Sequence, residues 1–403
     1  MCIVLINQFF WPDSVATSQL LTDVACQLCE EQQVRVICGS ASAALADTGQ
    51  GIPPEIDILR TRTFAFGRST SARLASYLSY LVGTIWHGIW VRRPDAFVTL
   101  TTPPALSLVG SLLSSAHRSR HIIWEMDVYP DIACDIGYLK RHGLIDRSIG
   151  KLLDWSRTRS TAIIVLGEDM KNRLVRRGIA ETKIYVAENW ADGAKIVPFP
   201  MPTGPLVVHY SGHFGLAHEI DTILKVILRL RNHPDIRFVF SGGGPRRSLI
   251  ERVCSENGIN NVESRPYCNR AELGKSLAEG HVGLVTQLPQ TLGSIVPSKI
   301  YGIMAAGRPL LYIGPDESTP ARHIRSFQCG WHIQPGDVQG LEDLLLHLSG
   351  NRYLLSEFGS RARLAFEQNF DLPTGTSRVL RILHGNSQIA KNTIAFPETV
   401  RGD

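Results

Sequence analysis

The chain of 403 residues has eight cysteines, but they lack the paired spacing of a disulfide framework or a zinc site. Cys26 and Cys29 form one CxxC inside an amphipathic helical pattern, with no second pair elsewhere, and read as structural. A reducing cytoplasm is the expected compartment. The first ten residues have neither a basic n-region nor a small-residue cleavage site and run into Trp11-Pro12, so they read as a first strand and not a signal peptide. No GxxxxGK[ST] sequence occurs, which argues against a Walker-type ATPase. No Ser/His/Asp or paired-carboxylate arrangement can be assembled from spacing. The formal charge of +5 is too small for whole-molecule attraction to nucleic acid.

Long apolar runs are scarce as well. Residues 74–91 reach the lower limit of a membrane span, but Ser76, Ser79, Thr84 and His87 interrupt them and Gly83 and Gly88 weaken them. A buried or an interfacial helix is expected there rather than a spanning one. Around it lie Arg60, Arg62, Arg68, Arg73, Arg92, Arg93, Arg118 and Arg120, opposed only by Asp95. Such a patch suits an anionic membrane surface or a pyrophosphate-bearing partner, and a solvated face is the plain alternative.

What is present is globular: 44% hydrophobic and 20% charged residues, over a length that suits two domains. Strand patterns over 2–7, 34–38, 59–63, 96–101, 121–124, 162–166 and 184–187 alternate with helical ones, which predicts a doubly wound parallel sheet. Pro198, Pro200, Pro202 and Pro205 then mark a linker. Beyond it the alternation restarts, with strands over 206–210, 237–241, 262–265, 282–286 and 310–314. The fold class is α/β, with Rossmann-like domains over 1–197 and 198–372, a C-terminal helix within 373–403, and a loose tail after about residue 386.

Three glycine-bearing turns follow strands in the second half: Tyr210-Ser211-Gly212-His213-Phe214-Gly215, Ser241-Gly242-Gly243-Gly244-Pro245, and Thr291-Leu292-Gly293-Ser294-Ile295. Open α/β sheets bind ligands at that edge, so three such turns in one domain point to a nucleotide. After the third turn, Pro297 suits a first helical position and Gly307-Arg308-Pro309 a helix end. Ser298, Lys299 and the helix N-terminus could together hold a diphosphate, or form an ordinary βα unit with a surface Ser-Lys. Glu125-Met126-Asp127 looks like a metal-binding DxD only superficially, since it falls in the opposite half. His213 and His218 are five apart and are equally readable as surface histidines.

These turns, with Val296-Pro297-Ser298-Lys299-Ile300-Tyr301-Gly302, resemble the donor-binding half of family 4 retaining glycosyltransferases of GT-B architecture. Asn7-Gln8-Phe9-Phe10-Trp11-Pro12-Asp13, Met126-Asp127-Val128-Tyr129-Pro130-Asp131, Val165-Leu166-Gly167-Glu168 and Glu188-Asn189-Trp190-Ala191-Asp192 resemble the colanic-acid, O-antigen and exopolysaccharide branch. The resemblance implies two Rossmann-like domains facing a cleft and no bound metal or cofactor. It implies transfer from a nucleotide diphosphate sugar, a UDP-sugar, to a lipid-linked or saccharide acceptor, with no nucleic acid as partner. It places the protein in the cytoplasm, peripheral on the plasma membrane, in polysaccharide biosynthesis. It assigns catalytic roles to Asp127, His213 and Lys299. Donor contacts fall to Gly212, His213, His218, Gly243, Gly244, Pro245, Gly293, Ser294, Ile295, Ser298 and Lys299, and acceptor contacts to Asp13, Thr17, Thr102, Asp127 and Tyr129.

The departures from the pattern are specific. The family's E-x7-E carboxylates would fall at Ser294 and Gly302, its phosphate-binding Arg and Lys at His213 and His218, and its acceptor-side histidine near Thr99. Lys299 and the helix N-terminus are therefore expected to carry more of the diphosphate charge, aided by the two histidines where they are protonated, near pH ~6.5. A catalytically silent partner subunit and a nonhydrolysing sugar-nucleotide epimerase are the other readings on the same fold.

Overall fold

A computed structural model describes residues 1–41, 51–65, 67 and 69–385. Arg68 of the arginine cluster and the expected tail after about residue 386 lie outside the described residues. The chain divides into two compact units: one holds Met1–Glu188 and takes up the chain again from Thr376, and the other spans Asn189–Gly375.

The first unit contains β1 (Cys2–Ile6), β2 (Gln33–Cys38), β3 (Asp57–Arg60), β4 (Ala96–Thr99), β5 (Arg120–Trp124), β6 (Ala162–Val165) and β7 (Ile184–Val186), all parallel, in the order β3-β2-β1-β4-β5-β6-β7. The second contains β8 (Leu206–Ser211), β9 (Ile236–Ser241), β10 (Val262–Arg265), β11 (Val282–Thr286), β12 (Leu310–Ile313) and β13 (Gly330–Ile333), also parallel, in the order β10-β9-β8-β11-β12-β13. Both faces of such a sheet are covered by helices, so central strands are apolar throughout and not alternating. In β12, Leu311 and Ile313 join one core and Leu310 and Tyr312 the other, as alternate side chains on a strand must.

In each sheet the order reverses beside the first strand, between β1 and β4 and between β8 and β11. A crevice opens at such a switch point because the flanking connections leave in opposite directions.

Some elements differ from expectation. β13 and the Thr319–Phe327 helix add to the expected elements, and Ser318 caps that helix by accepting from Ala321 N–H. A short helix, Asp131–Asp135, follows the turn after β5. The helix after Gly293 is Lys299–Ala305, two residues later than its expected start, and the Ser298 hydroxyl makes no cap bond to it. It is seven residues long, so little helix dipole stands behind it.

Glu125, set beside Asp127 in the superficial DxD, is structural. It is buried and accepts from Arg157 Nε at 2.7 Å, while Arg157 also donates to Asp154 (2.9 Å) and to the Tyr129 carbonyl (2.8 Å). Arg177 continues the network, bridging Asp154 (2.7 Å) and Asp131 (2.8 Å). Removing one member of a buried pair strands its partner's charge in low dielectric. R157M is therefore expected to lower unfolding free energy by about 3–5 kcal/mol in urea denaturation, and E125Q added to it to restore part of that loss.

Candidate functional site

The β8 and β9 turns lie against each other beyond the sheet. Gly212 N–H donates to Ser241 O (2.8 Å) and Phe214 N–H to Gly243 O (2.7 Å). Gly242 has φ +132°, and a Cβ there would stand 1.9 Å from Gly212 O, so no side chain fits. Gly212 has φ +133°, and its missing Cβ leaves the space taken by Lys299 Cε, which a Cβ would meet at 2.5 Å. The first glycine turn thus exists in this form because the lysine from the third turn passes over it.

Lys299 Nζ stands 5.2 Å over the centre of the Tyr210 ring and 3.4 Å from His218 Nε2. The Thr286 carbonyl, at the end of β11, lies 2.9 Å from His218 Nδ1. A carbonyl only accepts, so Nδ1 carries the proton and Nε2 is left as the acceptor facing Lys299. Tyr210 donates its hydroxyl to His213 O at 2.8 Å, which fixes the ring beneath the ammonium. Tyr210 belongs to β8 and Thr286 to β11, so the cluster stands at the switch point of the second sheet. Burial lowers the Lys299 pKa to about 8.

The same burial, together with the Lys299 charge, lowers His218 to about 3. This corrects the expectation that both histidines share the diphosphate charge by protonating near neutral pH: His218 is held neutral and presents Nε2 to Lys299 as an acceptor. His213 is exposed and also shifted down, by partial burial and by Lys299. Its Nδ1 lies 3.1 Å from the Tyr267 hydroxyl, whose own proton goes to Gly243 O at 3.3 Å. Tyr267 had no signal in the sequence, since it sits after β10 in no recognisable pattern.

The third turn is tied to the first by Leu288 N–H donating to Ala217 O at 2.9 Å. Buried Gln287 accepts from Tyr312 Oη (2.8 Å) and donates to Thr291 O (3.2 Å), holding the loop that carries Gly293, Ser294 and Ile295. Ser294 is fully buried, its N–H on Thr291 O at 3.0 Å. Ser298 is exposed, and Gly243, Gly244 and Pro245 follow β9 at the same edge. The structure therefore gathers His213, His218, Lys299 and the glycine turns around one place.

In the first unit, the acceptor candidates all follow carboxyl ends of strands: Asp13 and Thr17 after β1, Thr102 after β4, and Asp127 and Tyr129 after β5. Thr102 O accepts from Gln8 N–H at 3.0 Å, closing that unit's switch point. Asp13 is buried. Burial and the nearby Glu125 raise Asp127 to about 6, and burial and Asp127 push Tyr129 well up. Thr99, where the family pattern has a histidine, holds His121 Nε2 at 2.9 Å. Glu125 is taken by Arg157, so the Glu125-Met126-Asp127 triplet does not present two open carboxylates.

The two all-parallel Rossmann-like units place the chain in the GT-B fold class. Within that class, residues 194–365 match the family of glycosyl transferases group 1. The chain is 25% identical over 339 residues to "Probable glycosyltransferase WbjE" of Pseudomonas aeruginosa, covering 80% of this chain and 83% of that protein. It is 23% identical over 157 residues to WcaI of Escherichia coli (strain K12), named for colanic acid biosynthesis, covering 36% of this chain and 38% of that protein. Among solved structures, HepE of Anabaena in complex with UDP superposes with a TM-score of 0.73 at 12% identity, over 96% of this chain and 100% of that one.

A lysine with a pKa of about 8 carries its charge below that pH and loses it above. Because kcat/KM reports the free enzyme's ionisations, kcat/KM for a nucleotide sugar is expected to fall as pH rises through about 8, with no step near 6.5. K299R stays protonated throughout, so its pH–rate profile is expected to lack that descending limb.

Proposed function

We propose that this chain transfers a sugar from a nucleotide diphosphate sugar, a UDP-sugar, to the hydroxyl of a lipid-linked or saccharide acceptor with retention, in the assembly of a bacterial cell-surface polysaccharide. The observation that carries the reading is the half-buried Lys299 ammonium, held against His218 and Tyr210 at the edge where glycine turns bring three backbones close. HepE has been solved with UDP and with UDP-glucose, which supports a uridine donor on this fold.

In the proposed mechanism, Lys299 and the N–H groups of the glycine turns stabilise negative charge as it develops on the departing diphosphate. The diphosphate oxygen takes the acceptor proton, so no strong protein base is needed on that face. Gly212, His213, Gly243, Gly244, Pro245, Gly293, Ser294, Ile295 and Ser298 line the donor, with His218 acting through Lys299. Asp13, Thr17, Thr102, Asp127 and Tyr129 receive the acceptor, and Asp127, raised to about 6, ionises within the working range.

The first unit supplies a reason for peripheral membrane binding. The expected helix is Thr70–Ile89, and its buried face is Ser76, Tyr80, Thr84 and Gly88. Leu74, Leu78, Val82, Trp86, Ile89 and Trp90 are all exposed, Trp90 by 70%. No helix among the described residues is long and apolar enough to cross a membrane. Tryptophans beside arginines suit the lipid interface.

The test is a nucleotide-sugar panel read first by thermal shift and then by turnover with and without acceptor. A uridine diphosphate sugar is expected to stabilise the protein and to be consumed only with acceptor, giving a product whose anomeric signals match the donor. K299A is expected to lower kcat/KM by about tenfold to a hundredfold, the equivalent of a charge-assisted contact of about 1.5–3 kcal/mol. Consumption of donor without acceptor would indicate an epimerase, and stabilisation without turnover a silent binding subunit.

A further inference from the structure

The Thr70–Ile89 helix packs on the Leu106–His117 helix, which in turn packs on the Leu144–Arg159 helix, all three in the first unit. His117 Nε2 lies 3.0 Å from Gly88 O across the first contact, and Ser111 Oγ lies 2.8 Å from Ser156 Oγ across the second. The third helix repeats the pattern of the first. It buries Gly150, Leu153, Ser156 and Arg157, and it exposes Ile145, Leu152 and Trp155.

Where the second and third helices end, a cavity of about 460 Å³ opens. Ser114, Ser115, Arg118, Ser119 and Arg159 line it, and no carboxylate does. Ser114 and Ser115 already donate their hydroxyls to Ser111 O, at 3.2 and 2.7 Å. Ser119 Oγ is buried and has no hydrogen-bond partner. Among the described residues the Arg118 and Arg159 guanidiniums make no hydrogen bond or ion pair, and Arg159 stacks over Trp155 at 5.3 Å. Three donors without acceptors border one cavity, and two of them are cationic forks of the kind that match a phosphate. The stacking of Arg159 on Trp155 sets the cavity beside an exposed apolar ridge.

We infer that this cavity between the ends of the Leu106–His117 and Leu144–Arg159 helices is a binding site for the phosphate head group of an anionic phospholipid, with Arg118, Ser119 and Arg159 as its donors. The inference rests on the proposed membrane docking and adds a second contact helix and a specific head-group site to it. Lipid is preferred to free phosphate as the source because the cavity adjoins exposed apolar side chains, which would enter the acyl boundary while the arginines meet the head groups.

The test is co-sedimentation of the full chain with phosphatidylcholine vesicles made anionic either by phosphatidylglycerol or, at equal surface charge, by a fatty acid. Wild type is expected to bind the phosphatidylglycerol vesicles at least about fivefold more tightly than the fatty-acid vesicles, the equivalent of one arginine–head-group contact. R118K/R159K, which keeps the charge and loses the forks, and S119A are expected to bring the two affinities together while thermal unfolding stays unchanged. Equal binding of wild type to both vesicles, or a preference that survives in both variants, would overturn the head-group site while leaving membrane docking in place. Binding to neither vesicle would overturn the docking as well. A thermal shift with inorganic phosphate that R118K/R159K abolishes, with vesicle binding unaffected, would reassign the cavity to a soluble phosphate and overturn the lipid source.

Discussion

The Lys299 ammonium is partly withdrawn from water, which lowers its pKa, and His218 Nε2 at 3.4 Å is its side-chain acceptor. A buried cation is tolerated only where nearby groups replace its hydration, and here an aromatic face and one imidazole nitrogen do so. That requirement propagates outward. His218 must keep its proton on Nδ1, so it must face a carbonyl, which the end of β11 supplies. The lysine stem must cross the first glycine turn, so position 212 has room for no side chain. Three segments distant in sequence are thereby fixed relative to one another before any ligand arrives, which is the preorganisation that electrostatic catalysis depends on.

The family pattern puts an arginine and a lysine in this turn, and this chain has histidines at both positions. The structure turns that loss into a different division of labour. One histidine becomes a neutral support for the cation that remains, and the other contacts Tyr267 at the rim. A single lysine with a depressed pKa offers less fixed positive charge than an arginine and a lysine together would. The Gln287–Tyr312 bond holds the third turn where the pattern has a carboxylate and this chain has Ser294.

The first unit meets a different constraint. The Thr70–Ile89 helix buries Ser76, Tyr80, Thr84 and Gly88 and turns Leu74, Leu78, Val82, Trp86 and Ile89 outward, so its backbone approaches the neighbouring helix closely. Gly88 stands so near Leu113 that a Cβ would fall 2.4 Å from its Cδ1. Close packing through small residues and an apolar exterior are two aspects of one arrangement. Beneath it, the Glu125–Arg157–Asp154–Arg177 network closes a polar interior away from that face.

The sequence by itself determined the two parallel sheets, because strands buried on both faces leave short apolar runs and the helices between them leave amphipathic ones, both local patterns. It also located the three glycine turns and Lys299, since tight turns at strand ends need glycine for backbone reasons that hold in any context. Tertiary structure alone decided what those residues do. Whether His218 is a cation or an acceptor depends on burial and on a carbonyl 68 positions away. Whether residues 74–91 face the core or the outside depends on which stripe the neighbouring helix accepts, and helical periodicity gives both stripes equally. Arg118 already stood in the arginine patch, but Tyr267, Ser119 and Arg159 left no local trace, because their surroundings arise only from chain segments brought together in space.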